Sequence, residues 1–474
     1  MNLNKNTACT LIAGFGTADI TPKEGTHLGG GELGVYRPAR FVRRRLFAKA
    51  SIFKADKTVC IIELDVLIIS KKYCDRIKAL ISERLGLPYE AIMVFSIQSH
   101  TAPFVGHCML DPDFPMEISE NEEFVTGNIS AYSDMVCEKA AEAAVEAFGD
   151  LKEVQMDVKS GFKHGLAFCR RVIMRDNTVR MYANPSAKNT PLGPEMSHLE
   201  SPVDEEVGVV CFKSGTDILS SMLHFTCHPV NDYCTPELFN SVSPDWCGVW
   251  AEELQKKLNI RTIPSVLNGC CGNVNPHDQF TPDFVVDSER MGKALSELSE
   301  RIMLSMSFEN AEVQGVVDYT YTEIPMDYGE IPEDWHKTVI ERIENGPVLR
   351  KENGDFDSDW TWAASTYSTL LIKKREPKFM YPVQVFRIGS LAIVALAGEP
   401  FTDTQLELKL ESRAPMTYVT HCANRYVGYL PPLKSFKYDC HESNFKRTYW
   451  AKLAPGSIER AKEQALRDIE KLFK

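Results

Sequence analysis

The sequence lacks the short signatures that usually announce a chemistry. Its 474 residues contain no His-Glu-x-x-His, no Gly-x-Ser-x-Gly and no P-loop. Compact zinc-protease, nucleophile-elbow and phosphate-cradle sites are thereby excluded. Gly14-Phe15-Gly16 lacks the spacing of a dinucleotide fingerprint. No apolar run approaches the roughly 20 residues of a spanning helix; the longest, Val59 to Ile69, is interrupted by Glu63 and Asp65. The first 21 residues show no basic segment followed by an apolar stretch and a small-residue cleavage site, so no secretory leader is expected. Fourteen cysteines occur without a single C-x-x-C pair, as expected of buried thiols in a reducing compartment. Cytoplasmic location and no stable membrane insertion follow as expectations. Positive charge is also short: 53 Lys and Arg against 65 Asp and Glu leave a net charge of -12, which disfavours nucleic acid as a partner. The basic triplet Arg43-Arg44-Arg45 reads as a solvated turn. No fixed-period repeat, low-complexity tract or flexible linker divides the chain. One domain spanning residues 1–474 is expected.

What is present is an alternation of strand and helix patterns. Leu46 to Phe53 and Val59 to Ile69 flank a turn at residues 54–57 and read as a hairpin. Lys71 to Leu85 has apolar positions at helical spacing, closed by Gly86 and Pro88. Ala91 to Ser96 reads as a strand and Tyr132 to Phe148 as a helix. Further on, Glu206 to Phe212 and Ile218 to Phe225 read as paired strands, Trp246 to Leu258 as a helix and Thr262 to Leu267 as a strand. Leu391 to Leu396 is a strand, and Ser457 to Phe473 a closing amphipathic helix. Residues 184–204 and 331–358 read as a surface loop and an irregular excursion. The pattern predicts an α/β fold of mixed β-sheets with flanking helices, its site on loops at strand ends.

Four strand-like runs lead directly into polar loops marked by Gly or Pro: residues 98–103, 226–229, 268–276 and 397–400. Each carries a His, Asn or Glu. His228 follows its strand directly and is stiffened by Pro229, although a lone histidine there is more often structural than ligating. Glu399 follows Ala-Leu-Ala-Gly, a lead-in that buries a carboxylate, and a buried carboxylate needs a cationic partner. Tyr426 and Tyr429 are weaker signals, since tyrosine is commonly a packing residue.

These pieces together resemble the catalytic domain of the neutral ceramidases. Gly14-Phe15-Gly16-Thr17-Ala18-Asp19-Ile20-Thr21-Pro22 is similar to that family's opening Gly-x-Ala-Asp-Ile-Thr. Gln98-Ser99-His100-Thr101-Ala102-Pro103 resembles its Thr-His-Thr-His-Ser-Gly-Pro loop, and His224 to Pro229 its Phe-Ala-x-His-Pro segment. Asn268 to Pro276 is similar to Asn-x-Gly-Asp-Val-Ser-Pro, Gly398 to Thr402 to Gly-Glu-Phe-Thr, and Asn424 to Tyr429 to Asn-x-Tyr-x-x-Tyr. All six occur in the family's order. The resemblance implies a zinc hydrolase acting on a small-molecule acylated substrate, without the family's C-terminal immunoglobulin-like domain. It implies His228, Glu399 and Tyr429 as metal ligands, with the fourth position on Gln98 instead of histidine. An amide oxygen is a poorer zinc ligand than imidazole, so the resemblance leaves open a weakly held ion, another metal, His100 moving in, or no metal.

The same resemblance makes His100 a general acid/base, Arg170 a substrate contact and Asn275 the counterpart of the catalytic serine. Tyr426 and His441 fall at substrate-contact positions. Asparagine can donate to an oxyanion but cannot serve as nucleophile or base. The leading expectation is hydrolysis of an N-acyl or O-acyl bond by an altered ceramidase-like site. A non-catalytic ligand-binding protein retaining the pocket, and a metal-free hydrolase using His100 as base, are the alternatives. Oligomeric state is not indicated.

Overall fold

Strands that are apolar on both faces decide this fold. Every residue of Leu391–Leu396 is buried. Leu391, Ile393 and Ala395 face one core, while Ala392, Val394 and Leu396 face another. Thr58–Leu64 divides likewise: Val59 and Ile61 join the first core, and Cys60, Ile62 and Leu64 a separate one. In Glu206–Ser214, Val210 and Phe212 point to the first core, and Val207, Val209 and Cys211 to a third. Successive side chains leave a strand on opposite faces, so a strand with no polar face must be covered on both.

The computed structural model describes residues 10–31, 33–116, 119–181, 196–281, 283–308 and 315–474. Three sheets satisfy that demand together. The first runs Ile92–Ser96, Thr58–Leu64, Phe47–Lys54, Ile12–Asp19, Lys152–Glu153. The second runs Ser265–Asn268, Asp217–Phe225, Glu206–Ser214, Gln155–Phe162. The third runs Val317–Met326, Phe379–Ile388, Leu391–Leu396, Met416–Thr420. Their inner faces share one core containing Phe15, Phe53, Phe212, Met222, Phe386 and Tyr418. Helices cover the outer faces. Lys71–Leu85 and Ser130–Gly149 lie on the first sheet, and Asp245–Leu258 and Ser288–Leu304 on the second. Thr402–Glu411 and Ser457–Leu472 lie on the third.

Each sheet contains one parallel pair, and each pair is joined by a crossover helix, as parallel strands require. The pairs are Thr58–Leu64 with Ile92–Ser96, Asp217–Phe225 with Ser265–Asn268, and Leu391–Leu396 with Met416–Thr420. Their crossovers are Lys71–Leu85, Asp245–Leu258 and Thr402–Glu411. The C-terminal ends of the three units meet at Asn268, which is fully buried. Its Nδ2 donates to Ile97 O at 3.1 Å in the first unit, and its Oδ1 accepts from Cys227 N at 3.3 Å in the second. Its carbonyl accepts from His421 N at 3.2 Å in the third.

The expected hairpin, helices and strands are present with ends shifted by a few residues. Residues 331–358 differ from expectation. They contain the helix Glu333–Ile340, begun by Pro332 and favoured by Glu333 and Asp334 in its first turn. Trp335 docks it by donating from Nε1 to Thr366 Oγ1 at 3.2 Å. Of the loop expected over 184–204, residues 184–195 lie outside the described residues, and Met196–Leu199 is a strand paired with Arg171–Met174. The basic triplet is also less solvated than expected, since Arg43 and Arg44 pair with Asp232, Glu252 and Glu289.

Asn268→Ala strands the Ile97 carbonyl and the Cys227 N–H in a dry interior, at about 1–3 kcal/mol for each. Urea unfolding should show a loss of about 2–4 kcal/mol; a loss below about 1 kcal/mol would show that the three units do not depend on this junction.

Candidate functional site

The residues expected to act leave the ends of these three units. Gln98 follows Ile92–Ser96 with φ 69°, a left-handed conformation uncommon outside glycine. Its backbone is held there by a bond from Gln98 N to Val66 O. His228 lies three residues beyond Asp217–Phe225, and its N–H bonds to Val274 O. Glu399 opens a short strand paired in parallel with Tyr429–Leu430, so residues 399 and 429 are lateral neighbours. Gly398 permits that approach: its φ is 72°, and a Cβ there would lie 2.4 Å from Gly428 O.

The Glu399 carboxylate is the electrostatic centre. His228 Nε2 lies 3.2 Å from Oε2, and Tyr426 OH donates to Oε1 at 2.7 Å. Burial opposes ionisation of this carboxyl, but hydrogen bonds with His228, Tyr426 and Gln98, and the His228 charge, hold it well below the usual carboxylate range. The other nitrogen of His228, Nδ1, is 3.1 Å from Val274 O. The His100 ring meets that of His228 edge to face at 5.6 Å between centroids. Both of its ring nitrogens are buried and lack a hydrogen-bond partner among the described residues. Burial, reinforced by His228, pushes His100 down to about 3, so its imidazole is neutral at ordinary pH. Gly30, at φ 86°, lets the backbone pass so close that a Cβ would stand 2.6 Å from His100 Nδ1.

A second charged group borders the same space. Arg170 lies over the Tyr429 ring at 5.2 Å. It bonds Glu442 Oε1 at 3.1 Å, while Arg171 bonds Glu442 Oε2 at 2.8 Å. The rings of His441 and Tyr429 are 5.4 Å apart, and burial pushes His441 down to about 4. Burial and the Glu399 charge drive the Tyr429 hydroxyl well above its ordinary value, with Arg170 opposing. Asn275 pairs with Phe168 in a two-residue ladder; its Oδ1 is buried without a partner among the described residues.

One cavity of about 140 Å³ gathers Gln98, His100, Glu399, Tyr426, Tyr429 and His441. Its remaining wall mixes aromatic Phe104, Tyr449 and Trp450 with aliphatic Leu33, Leu67, Ile68 and Met109, and glycines 30, 31 and 34. His228, Arg170 and Asn275 do not line it: His228 backs Glu399, Arg170 backs Tyr429, and Asn275 follows the Val274 carbonyl that His228 contacts. Sequence reasoning missed Glu442, Cys271 and His421. His421 follows the strand Met416–Thr420 directly, the placement that singled out His228, but no Gly or Pro marks it.

The donor set fits a divalent cation at His228 and Glu399. With Nδ1–H given to Val274 O, a neutral His228 presents its Nε2 lone pair to a carboxylate oxygen, and a protonated one makes an ion pair there. Two acceptors in contact need a positive charge between them. Their 3.2 Å separation is near the roughly 3.3 Å between two donors on one tetrahedral zinc. No third His, Cys, Asp or Glu donor among the described residues comes within 4.8 Å of both; such a trio forms only at Cys440, His441 and Glu442. There the carboxylate is already shared by two guanidiniums, which repel a cation. The oxygen-bearing side chains that line the cavity beside Glu399 are the Gln98 amide and the Tyr426, Tyr429 and Tyr449 phenols.

No protein-family model matches the sequence, and no curated protein matches it either. Two solved structures share its fold. The neutral ceramidase from Pseudomonas aeruginosa superposes with a TM-score of 0.68 at 13% identity, over 98% of this chain and 75% of that one. A ceramidase complexed with C2 superposes with a TM-score of 0.69 at 13% identity, over 98% and 76% of the two chains. The likeness shows a common architecture of mixed sheets and flanking helices.

Burial opposes ionisation of Glu442, but the charges of His441, Arg171 and Arg170 hold it at about 2. An unfolded glutamate titrates near about 4.3. Its ionised form therefore stabilises the fold above that pH, and the contribution disappears as pH falls through about 2. The stability gap between wild type and Glu442→Gln, measured by urea unfolding, should be largest near neutrality and close across this interval. A gap independent of pH would mean that the carboxylate acts by hydrogen bonding alone.

Proposed function

We propose that this protein is a ceramidase-like, metal-dependent hydrolase of an N-acyl amide or O-acyl ester bond, with residues 1–474 working as one catalytic unit. The observation that carries this reading is the His228–Glu399 pair, whose carboxylate lines a largely apolar cavity with His228 behind it. The fold shared with two ceramidases supports it, and the single core common to three sheets supports the one-unit reading. His228 and Glu399 would hold the ion, with Gln98 and Tyr429 completing its surroundings; zinc is the first candidate for such a nitrogen and oxygen set. When bound, such an ion supplies Lewis acidity to an acyl carbonyl and to an attacking water.

The chain's own residues supply the rest. His100, neutral and with both ring nitrogens free of partners, takes a proton from water and returns it to the leaving group. Tyr426 orients the Glu399 carboxylate through its hydroxyl. Asn275, which does not line the cavity, is left without the oxyanion role expected of it, while Arg170 fixes Tyr429 from behind and His441 contacts substrate. The aromatic wall excludes water from the acyl group. A cavity of about 140 Å³ suits a short acyl group better than a long chain. The substrate is therefore read as a small acylated compound, such as an acylated amino sugar. The thirteen described cysteines are free thiols, which supports action in a reducing compartment; no described helix is long and apolar enough to cross a membrane.

Asn275 favours one rival reading, because it cannot be a nucleophile: a protein that only binds its ligand in this pocket. Metal analysis of protein made without a polyhistidine tag separates the two. One divalent ion per chain, lost in His228→Ala, is expected; a metal-free wild type would overturn the reading.

With N-acetyl amino sugars and p-nitrophenyl acetate as probes, His100→Ala should lower turnover about 10²–10⁴-fold while leaving the melting temperature nearly unchanged. Equal loss of stability and turnover would assign His100 to the core.

A further inference from the structure

His421 is buried at the end of the third unit, outside the cavity lining, and the functional reading above makes no use of it. Its two ring nitrogens both face oxygen. Nδ1 is 2.9 Å from the Asn268 carbonyl and Nε2 is 2.8 Å from the Gln98 carboxamide oxygen. Gln98 in turn hydrogen-bonds Glu399, which meets His228 Nε2, whose Nδ1 meets Val274 O. Five contacts thus run in a line from one main-chain carbonyl to another: Asn268 O, His421, Gln98, Glu399, His228, Val274 O.

Each contact needs one hydrogen or one cation between its acceptors. A neutral imidazole carries one N–H, and a carboxamide donates from one end only. The two histidines and Gln98 supply three donors for five contacts. The main-chain carbonyls cannot turn, so each demands the Nδ1–H of its histidine. His421 Nε2 is then an acceptor, and the only matching group Gln98 can offer is its NH₂. With that end on His421, the carboxamide oxygen faces Glu399. The two contacts still unmet, Gln98 with Glu399 and Glu399 with His228, are adjacent and share Glu399. One divalent cation there, taking Gln98 Oε1, a Glu399 oxygen and His228 Nε2, satisfies every member of the line.

We propose that His421 is a positioning residue that turns the Gln98 carboxamide so that its oxygen serves the metal beside Glu399 and His228. Residue 98 thereby keeps a ligand's role without being a histidine, and the imidazole is supplied one shell further out from a different strand. The backbone is arranged for this. Gln98 is held at φ 69°, with its N–H on Val66 O, and His421 precedes Cys422 at φ 49°. The structure places Oε1 on the His421 and Cys271 side; the proposed arrangement exchanges it with the NH₂, which the Cys271 sulfur can meet as a weak acceptor.

This inference rests on the metal-dependent reading, and the experiment separates their failures. Zinc affinity is measured by competition with a chromophoric chelator on untagged wild type, on His421→Phe, and on His421→Phe combined with Gln98→His. We expect His421→Phe to bind zinc about 10–100-fold more weakly, and the double variant, with an imidazole placed directly at 98, to recover that loss. Wild-type affinity in His421→Phe overturns the positioning role and leaves the metal reading standing; a wild type without zinc affinity overturns both. Should His421→Phe not fold, the nitrogen shifts of ¹⁵N-histidine-labelled wild type decide. The Nδ1–H tautomer at His421 is expected, and the Nε2–H tautomer overturns the proposal.

Discussion

Three crossover units that end at one buried asparagine impose the constraint on which this structure depends. Each unit finishes with main-chain groups that can no longer bond within its own sheet, because the strands stop there. In a dry interior such groups must find partners. Asn268 supplies three: its side chain reaches the first and second units and its carbonyl the third. The shared apolar core holds the sheets face to face, but that force is non-directional and tolerates sliding. The polar junction fixes register. Gln98, His228, Glu399 and His421 all leave the chain within a few residues of it, so their mutual distances follow from strand ends that cannot move independently.

Two anionic centres are built on that platform with opposite solutions. Glu442 is neutralised by two permanent cations, Arg170 and Arg171, and its charge is complete within the protein. Glu399 has no guanidinium or ammonium in contact. Its partners are an imidazole, a phenol and a carboxamide, all neutral in their ordinary forms. A buried carboxylate so placed is satisfied by a proton on His228 or, on the proposed reading, by a metal ion beside it. Between the two centres stands Tyr429, paired with Glu399 along the backbone and covered by Arg170 on its ring. The protein therefore closes one charge with permanent cations and leaves the other beside a histidine that can carry a proton or, on the proposed reading, a metal ion.

Much of this was legible in the sequence, for identifiable reasons. Lys71–Leu85 was readable because its apolar period is regular and Gly86 stops it in the left-handed conformation. Leu391–Leu396 was readable because both its faces are buried, giving an unbroken apolar run. Glu399 stood out because such a run delivers a carboxylate into the interior. His421 and Asn268 did not stand out. Each is one polar residue at the end of a short strand, and its importance comes from partners more than 150 positions away. Glu333–Ile340 was read as irregular because its acidic residues suggested solvent, whereas their place in a first turn favours a helix. The extra strand Met196–Leu199 carries a polar, exposed pattern that no periodicity argument selects.

The same distinction explains how residues 98 and 275 can depart from the ceramidase pattern without dismantling the site. At each position a group defined by its own reactivity has given way to a carboxamide, whose role depends on which end its neighbours select. Gln98 is flanked by His421 and Glu399, and Asn275 follows the carbonyl that contacts His228. A carboxamide cannot be a nucleophile, so on the proposed reading the reacting oxygen would come from water, with a neutral protein group as base. On that reading His100 would be the base: burial keeps it neutral, at the cost of base strength. The proposed reading thus assigns reactivity to the histidines and orientation to the carboxamides.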